Sequence, residues 1–371
     1  MRHLKITSGN SSSIESVSQN LLNKIYELSN SNSLDNLSSI IGRVDVNYLH
    51  DKYFDYLVNR YSQLRIIINI DKLIKFEDPI VEQILLDNNL GISGVGIPYS
   101  NNITTIPSFK NNTDIVSFNE LKLFTNVKNI PSDCFNGCTN LQSIDISNIT
   151  TMGQRPFYNC TSLNNLGIEN FPVPFYGRNS QYWTFYNCTS LGVGKDLDIT
   201  YSSELTNTAA NTFRNTGYKT VTIHGENLVK VHNQGSGEYE PYSGMPNLEK
   251  YDISDTKITE IPTTSYFSHA TTIISSPYAT EMHWGIFSAC ENIRHYIILS
   301  TTVPTTTDDL KYWRIHANTY IYVRDELVEA FKTDEKWSTS PAIVNKIKPL
   351  SELPPEVTWY TKDRDFSQYF E

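Results

Sequence analysis

Cysteine is the residue type in this chain whose spacing first suggests chemistry. The five cysteines are Cys134, Cys138, Cys160, Cys188 and Cys290. Their number is odd and no pair forms Cys-x-x-Cys, so the pattern favours neither a disulfide framework nor a zinc site. Four of them follow an aromatic residue by three positions, as in Phe135-x-x-Cys138, which indicates a repeated structural unit.

The other residue types that commonly carry catalysis form no recognisable constellation. The eight histidines make neither His-x-x-x-His nor His-Glu-x-x-His, the spacings of helical zinc sites. The stretch from Gly192 to Asp196 contains a Gly-Lys pair, but it lacks the first glycine of a phosphate-binding loop and has Asp where Ser or Thr is needed. No Gly-x-Ser-x-Gly elbow occurs. We therefore predict a non-enzyme with no catalytic residue, no cofactor-binding residue, no cofactor and no metal site.

Charge and hydropathy exclude further classes of function. The 371 residues include 30 Lys and Arg against 40 Asp and Glu, a formal net charge of −10. An acidic chain is a poor candidate for nucleic-acid binding, which needs clustered positive charge. No stretch approaches the 18 apolar residues of a membrane span, so we predict no membrane insertion. The basic start, Met1-Arg2-His3, is not followed by an apolar region, which predicts no secretory leader.

The dominant pattern is a repeat of the form aromatic-x-x-small-x-x-aliphatic, followed by a short alternating apolar stretch. The clearest copy runs from Phe135 through Cys138 and Leu141 to Ile144 and Ile146. Its copies begin at seven aromatic residues: Phe135, Phe157, Phe185, Phe213, Tyr242, Phe267 and Phe287. The steps between them average about 25 residues, which is the range of leucine-rich repeats.

Each copy is predicted to turn through a short helix that carries the aromatic residue and the cysteine, and then to form a short strand. One copy cannot bury its own apolar side, but stacked neighbours bury it together. Strand alternation buries Ile144 and Ile146 and turns Ser143 and Asp145 outward. The small position holds Cys138, Cys160, Cys188, Cys290, Thr216, Met245 or Ala270. A position that accepts all these side chains is predicted to be a buried packing slot.

The third copy departs from this pattern, because its strand is displaced to Leu197 and Ile199.

The outward strand positions of the array are the natural binding face of such a solenoid. They include Asp145, Asp198, Asp252, His295 and Ile297. Stacked carboxylates could attract a basic partner, but like charges in register also repel each other. The simpler expectation is a solvated face.

The repeat Phe-x-x-Cys-x-x-Leu-x-x-Ile, preceded by the Ile130-Pro131 turn, resembles the BspA-type leucine-rich repeat family. That family is common in Bacteroidota surface proteins and in the phages and prophages of those bacteria, and its repeats are binding scaffolds with many targets. Residues 75–81 and 117–127 resemble its lead-in module. Its closing module is similar to residues 318–323, 327–332 and 337–350. In the family the lead-in carries a loop resembling a calcium site, but Asp87-Asn88-Asn89-Leu90-Gly91-Ile92 lacks the later carboxylates, so we expect no calcium there.

The predicted fold is therefore α/β: a leucine-rich repeat solenoid with a parallel β-sheet, a helical N-terminal segment and an α/β C-terminal cap. We expect an N-terminal helical attachment segment over 1–64, an α/β lead-in module over 65–118 and repeats over 119–304. A capping module is expected over 305–350, followed by an aromatic, acidic tail over 351–371.

The two ends lie outside the repeat pattern. The first predicted helix presents one apolar face, formed by Ile14, Val17, Leu21, Ile25 and Leu28. A second helix is expected within 51–64 and a strand over 65–70. The apolar face either packs on its own domain or docks the chain on a larger assembly. The tail either folds back on the cap or is captured by a partner.

Two function classes compete on this pattern. In the first, the chain is a structural protein of a bacteriophage virion, such as a head or tail fibre or a decoration protein. It would contact other virion proteins through residues 1–64 and the tail, as part of an oligomeric assembly, and its repeats would face a host-surface protein, a glycan or a neighbouring subunit. In the second, it is a cell-surface adhesin of a Bacteroidota bacterium. The absence of a predicted leader favours the first, and an intracellular interaction protein is the third possibility.

Overall fold

The computed structural model describes residues 74–91, 97, 103–169, 171, 183–208, 211–230, 241–261, 267–282, 286–287, 291–306, 310 and 315–358. The chain divides into two compact units, 1–103 and 104–371. The helices predicted within 14–28 and 51–64, the strand at 65–70, and Cys290 lie outside the described residues. No helix of the described part is long and apolar enough to cross a membrane.

The first unit contains helix α1, Pro79–Asp87. It begins after Asp78, which accepts a hydrogen bond from the Ile80 amide at 2.9 Å, and proline occupies the first helical position. Val81 and Leu85 are its buried residues. At its end, Asp87 accepts a hydrogen bond from the Gln83 side chain at 2.7 Å, in the stretch compared above with a calcium loop.

The second unit is a solenoid in which most of the described coils contribute a short strand. The first strands are β1 (Ser117–Phe118), β2 (Asn129–Ile130), β3 (Ser143–Ile144) and β4 (Thr151–Met152). They pair in parallel as β1 with β3 and β2 with β4, on two different ladders. The later strands are β5 (Asp196–Thr200), β6 (Thr220–Gly225), β7 (Lys250–Thr256), β8 (Thr272–Ile274), β9 (His295–Ile298), β10 (Tyr320–Val323) and β11 (Ile347–Pro349). These form one seven-stranded parallel sheet in the order β11-β10-β9-β8-β7-β6-β5.

The predicted strand alternation is confirmed. Ile144 and Ile146 are buried, whereas Ser143 and Asp145 are only partly covered. The displaced strand of the third copy is β5, which buries Leu197 and Ile199 and exposes the residues between them. Local spacing therefore determines which side of each strand faces the core, because successive side chains of a strand point to opposite faces.

In the part of the chain that the structure describes, the aromatic corners are turns, so the prediction of a short helix at these corners is wrong. Residues 132–137 are hydrogen-bonded turns, with positive φ at Asp133 and Gly137. Their backbone amides bond to the next coil: Phe135 donates to Pro156 and Gly137 donates to Tyr158, both at 2.8 Å. A helix would direct those amides to carbonyls four residues earlier in the same segment. Here the bonds to the neighbouring coil replace them.

An additional coil precedes the seven copies found in the sequence. Phe109 stacks on Phe135 with ring centroids 5.1 Å apart, and its amide donates to Cys134 of the next coil. The strand of this coil is β1, which follows Ile115 by two residues. The same spacing as in Phe135-x-x-Cys138 is present, but Asn112 replaces the cysteine and conceals the match.

The C-terminal cap continues the sheet without a break. It consists of β10, α2 (Val328–Thr333), α3 (Pro341–Val344) and β11, and β10 pairs in parallel with both β9 and β11. Trp337 is fully buried and packs edge-on to Phe331 of α2 at 4.8 Å. A 3-10 helix, Leu350–Glu352, and α4, Pro355–Thr358, follow β11.

Candidate binding surface

The outward strand residues differ widely in exposure along the solenoid. Asp198 on β5 keeps 66% of its side chain exposed. Asp145, two coils before β5, keeps only 14% of its side chain exposed and pairs with Lys122 at 3.1 Å. Partial burial alone would raise the pKa of Asp145, but hydrogen bonds from Ser147 and the Lys122 ammonium lower it. The expected solvated face is therefore found at Asp198 but not at Asp145.

Three neighbouring strands carry a connected polar group on this face. His224 of β6 lies between two carboxylates, with Nε2 at 3.0 Å from Asp198 Oδ1 and Nδ1 at 2.6 Å from Asp255 Oδ2. The two aspartates come from β5 and β7, so the imidazole bridges β5, β6 and β7. An imidazolium can donate to both carboxylates, whereas neutral histidine donates to only one.

The expectation of a solvated face is wrong for Asp252 and Ile297, which are each 2% exposed. Asp252 accepts hydrogen bonds from the Ser254 amide and hydroxyl at 3.0 and 2.7 Å. It also pairs with the buried Lys250 at 3.5 Å. A buried carboxylate is tolerated when such donors satisfy it. Ile297 is buried for a different reason, described next.

The chain's own C-terminal segment covers the outer face of the last strands. Leu350 and Val357 form one buried cluster with sheet residues, and Leu353 packs against it. The sheet residues of this cluster are Ile274, Ile297, Leu299 and Tyr322. Of the two alternatives for the tail, the described part, 351–358, thus folds back on the solenoid. Residues 359–371 lie outside the described part.

A groove of about 310 Å³ opens where the sheet is interrupted. On one side lie residues 164–169 of the coil before the interruption, where Asn165 forms a single bridge to Ser143. On the other side lies β5. We call this the sheet-break groove. Its described lining consists of Asn164, Asn165, Leu166, Ile168, Glu169, Phe171, Leu191, Gly192, Lys195, Asp196, Leu197, Asp198 and Tyr218.

The groove combines an apolar floor with a charged rim. Leu166, Leu191 and Leu197 are 4% exposed or less, whereas Glu169 and Lys195 are exposed. Tyr218 is 5% exposed, and burial raises the pKa of its phenol above the ordinary range. Its ring lies directly over Gly192, where a Cβ atom would be 2.3 Å from the ring. Glycine at 192 thus allows the tyrosine to reach the groove.

No site residue was predicted from the sequence, and the sheet-break groove was not among the predictions. The signal that could have located it is the step of 28 residues from Phe157 to Phe185, together with the strand displaced to Leu197. An inserted stretch in a solenoid coil moves its strand out of register with its predecessor. That displacement leaves the gap between residues 164–169 and β5.

The described cysteines are packing residues with their thiols bonded to the preceding coil. Cys138, Cys160 and Cys188 donate to the carbonyls of Phe109, Phe135 and Phe157 at 3.0, 3.0 and 3.1 Å. Burial raises the pKa of Cys138 to about 12 and that of Cys160 well above its ordinary range. Among the described residues, no group of three His, Cys, Asp or Glu side chains is placed to hold a metal ion.

Comparison with known proteins identifies the repeats. Residues 104–235 match the family model described as BspA type leucine rich repeat region, in six copies. A leucine-rich repeat protein from Bacteroides ovatus ATCC 8483 is 14% identical over 68% of this chain and 82% of its own, with a TM-score of 0.27. A leucine rich cell surface protein from Faecalibacterium prausnitzii A2-165 is 12% identical over 71% and 86%, with a TM-score of 0.25. No curated protein matches the chain.

Proposed function

Since the chain carries a BspA-type leucine-rich repeat region, we propose that it is a non-enzymatic binding protein that recognises a macromolecular partner through the outer face of the coils that carry β5 and β6. The observation that supports this most directly is the division of the sheet face. Strand β5 exposes its outward residues. The outer face of β8–β10 is sealed by Leu350 and Val357. Among the described residues, the outer face at β5 is open to a partner, and stacked coils can make such a face continuous.

We propose a bacteriophage particle as the setting of this binding protein. The support comes from the sequence: residues 1–64 do not follow the repeat, and Ile14 to Leu28 form a helical apolar pattern suited to docking on another virion protein. The repeats would then face a host-surface protein, a glycan or a neighbouring subunit. The alternative setting is the surface of a Bacteroidota bacterium, which is supported by the occurrence of the resembled family in such surface proteins.

Mass spectrometry of two fractions from the source culture separates these settings. One fraction is density-purified, cell-free phage particles, and the other is washed outer membranes. Peptides from the whole chain at a fixed ratio to the major capsid protein are expected for a virion component. Absence from particles together with enrichment in outer membranes would refute the virion setting and establish the surface alternative.

A further inference from the structure

We propose that the sheet-break groove is a docking pocket for a basic side chain, arginine or lysine, presented by a protein partner. This proposal rests on the binding function proposed above and gives it a site and a ligand chemistry. Three features carry it: the solvent-accessible hydroxyl of a nearly buried tyrosine, an excess of carboxylates on the rim, and an apolar floor of limited size.

The hydroxyl belongs to Tyr218, whose side chain is almost completely buried against the groove. Within the described part of the chain it has no hydrogen-bond partner, and its oxygen is not sealed from solvent. A phenol oxygen that solvent reaches can exchange its bound water for a hydrogen bond with a ligand. A ligand that enters the groove can supply the missing partner, and a donor on the ligand suits the phenol oxygen.

The rim offers more acceptors than donors. Three carboxylates, Glu169, Asp196 and Asp198, line the groove with one ammonium, Lys195. Asp196 Oδ1 accepts from the Thr220 hydroxyl at 2.7 Å, and Asp198 Oδ1 is 3.0 Å from His224 Nε2. With three carboxylates and one ammonium, the described rim carries a net negative charge, and Glu169 is exposed. The complementary ligand therefore carries several donors and a positive charge.

The apolar floor of the groove can contact the uncharged stem of an arginine or lysine side chain. Leu166, Leu191 and Leu197 form an apolar base on which the methylene stem of arginine or lysine can lie while its charged head stays at the rim. The volume of about 310 Å³ is at the lower end of ligand pockets. It fits one side chain better than an extended ligand. A divalent cation fits less well, because the described residues contain no metal-ligating group of three.

The test is saturation-transfer NMR on the full-length protein with N-acetyl-arginine methylamide as the probe and N-acetyl-glutamine methylamide as its uncharged counterpart. We expect saturable binding of the arginine probe alone, weakening roughly threefold or more between about 50 and about 500 mM NaCl because the rim charges are screened. Glu169→Gln and Tyr218→Phe are each expected to weaken binding roughly fivefold. Glu204→Gln, an exposed carboxylate away from the groove, is the matched control and should bind normally.

Several outcomes would overturn the proposal. One is no saturable binding of either the arginine probe or its lysine analogue; another is the same loss in Glu204→Gln as in Glu169→Gln. Salt-independent binding of N-acetylglucosamine in place of arginine would overturn the ligand class and leave the binding function standing. Glu169→Gln keeps the test valid if Tyr218→Phe fails to fold, since Glu169 is exposed. The particle and membrane measurement does not depend on this groove, so the two proposals can fail separately.

Discussion

At the scale of single residues, asparagine or glycine occupies the same corner position in coil after coil, two residues after the aromatic. These residues have φ between +59° and +78°: Asn111, Gly137, Asn159, Asn187, Asn215 and Gly244. Glycine and, less easily, asparagine adopt this left-handed conformation. The conformation turns the backbone amide toward the next coil, as for Asn187, which donates to the Arg214 carbonyl at 2.9 Å. The backbone hydrogen bonds between coils therefore favour asparagine or glycine at this corner position.

At such a corner a glycine variant should be more stable than an alanine variant, which is the reverse of their order in a helix. We expect Asn215→Gly to be more stable than Asn215→Ala by roughly 1 kcal/mol, because alanine is strained at positive φ. Urea denaturation of both variants provides the free energies. The control pair is Glu329→Ala and Glu329→Gly at an exposed position in α2, where alanine should be the more stable by about the same amount. The same order at both sites would contradict the assigned corner conformation.

The buried thiols should be chemically silent in the folded protein. Burial raises the pKa of Cys134 and Cys138 to about 12, so roughly one thiol in ten thousand is ionised at pH 8, and only the thiolate reacts readily. In a Cys290→Ser background, we expect no Ellman reaction until denaturant is added, and then reaction of four thiols. Ser147→Cys, at an exposed position, should react at once and serves as the positive control. Rapid native reaction of the background protein would refute this prediction.

At the scale of the element, the coils are joined by a column of stacked aromatic rings. Phe157 lies between Phe135 at 5.4 Å and Phe185 at 5.6 Å, with both ring pairs tilted by only 6°. The column continues through Phe213 to Tyr242 at 6.0 Å. Each ring packs mainly on neighbouring coils, so a single coil cannot be stable alone and the array should unfold cooperatively.

Phe157→Ala should be among the most damaging substitutions in the chain. It removes a fully buried ring from the middle of the column, and we expect a loss of about 3–5 kcal/mol in the free energy of unfolding. Tyr278→Ala, at a tyrosine with 54% of its area exposed, should change it by no more than about 0.5 kcal/mol. Chemical denaturation followed by circular dichroism gives both values. Equal losses of unfolding free energy in the two variants would show that the stacked column stabilises the fold no more than an exposed ring does.

At the scale of the whole molecule, the C-terminal segment decides which part of the sheet can bind. It covers an apolar patch that includes Ile274, Ile297 and Tyr322, and so leaves β5 and β6 as the strands with the more open outer face. Without this cover, the cap strands would expose a contiguous apolar surface, which soluble proteins seldom tolerate unless it binds something.

Disrupting this cover should expose the patch. Val357→Asp places a charge at a position that is 1% exposed, so we expect the segment to detach. Increased fluorescence of a bound hydrophobic dye and a lowered melting temperature would report it. Glu352→Gln, an exposed residue of the same segment, is the control and should behave as wild type. Unchanged dye binding in Val357→Asp would show that the patch does not depend on this contact.

The sequence by itself determined the coil: which aromatic, cysteine and leucine positions are buried, and which side of each strand faces inward. Those features follow from short spacings along one segment, as at Phe135, Cys138 and Ile144. It did not distinguish turn from helix at the corners, because intervals of three suit both. Only the tertiary structure decided that Ile297 is covered, since the covering residues Leu350 and Val357 are more than fifty positions away. The sheet-break groove was likewise decided there, because a gap between coils depends on how neighbouring strands stack.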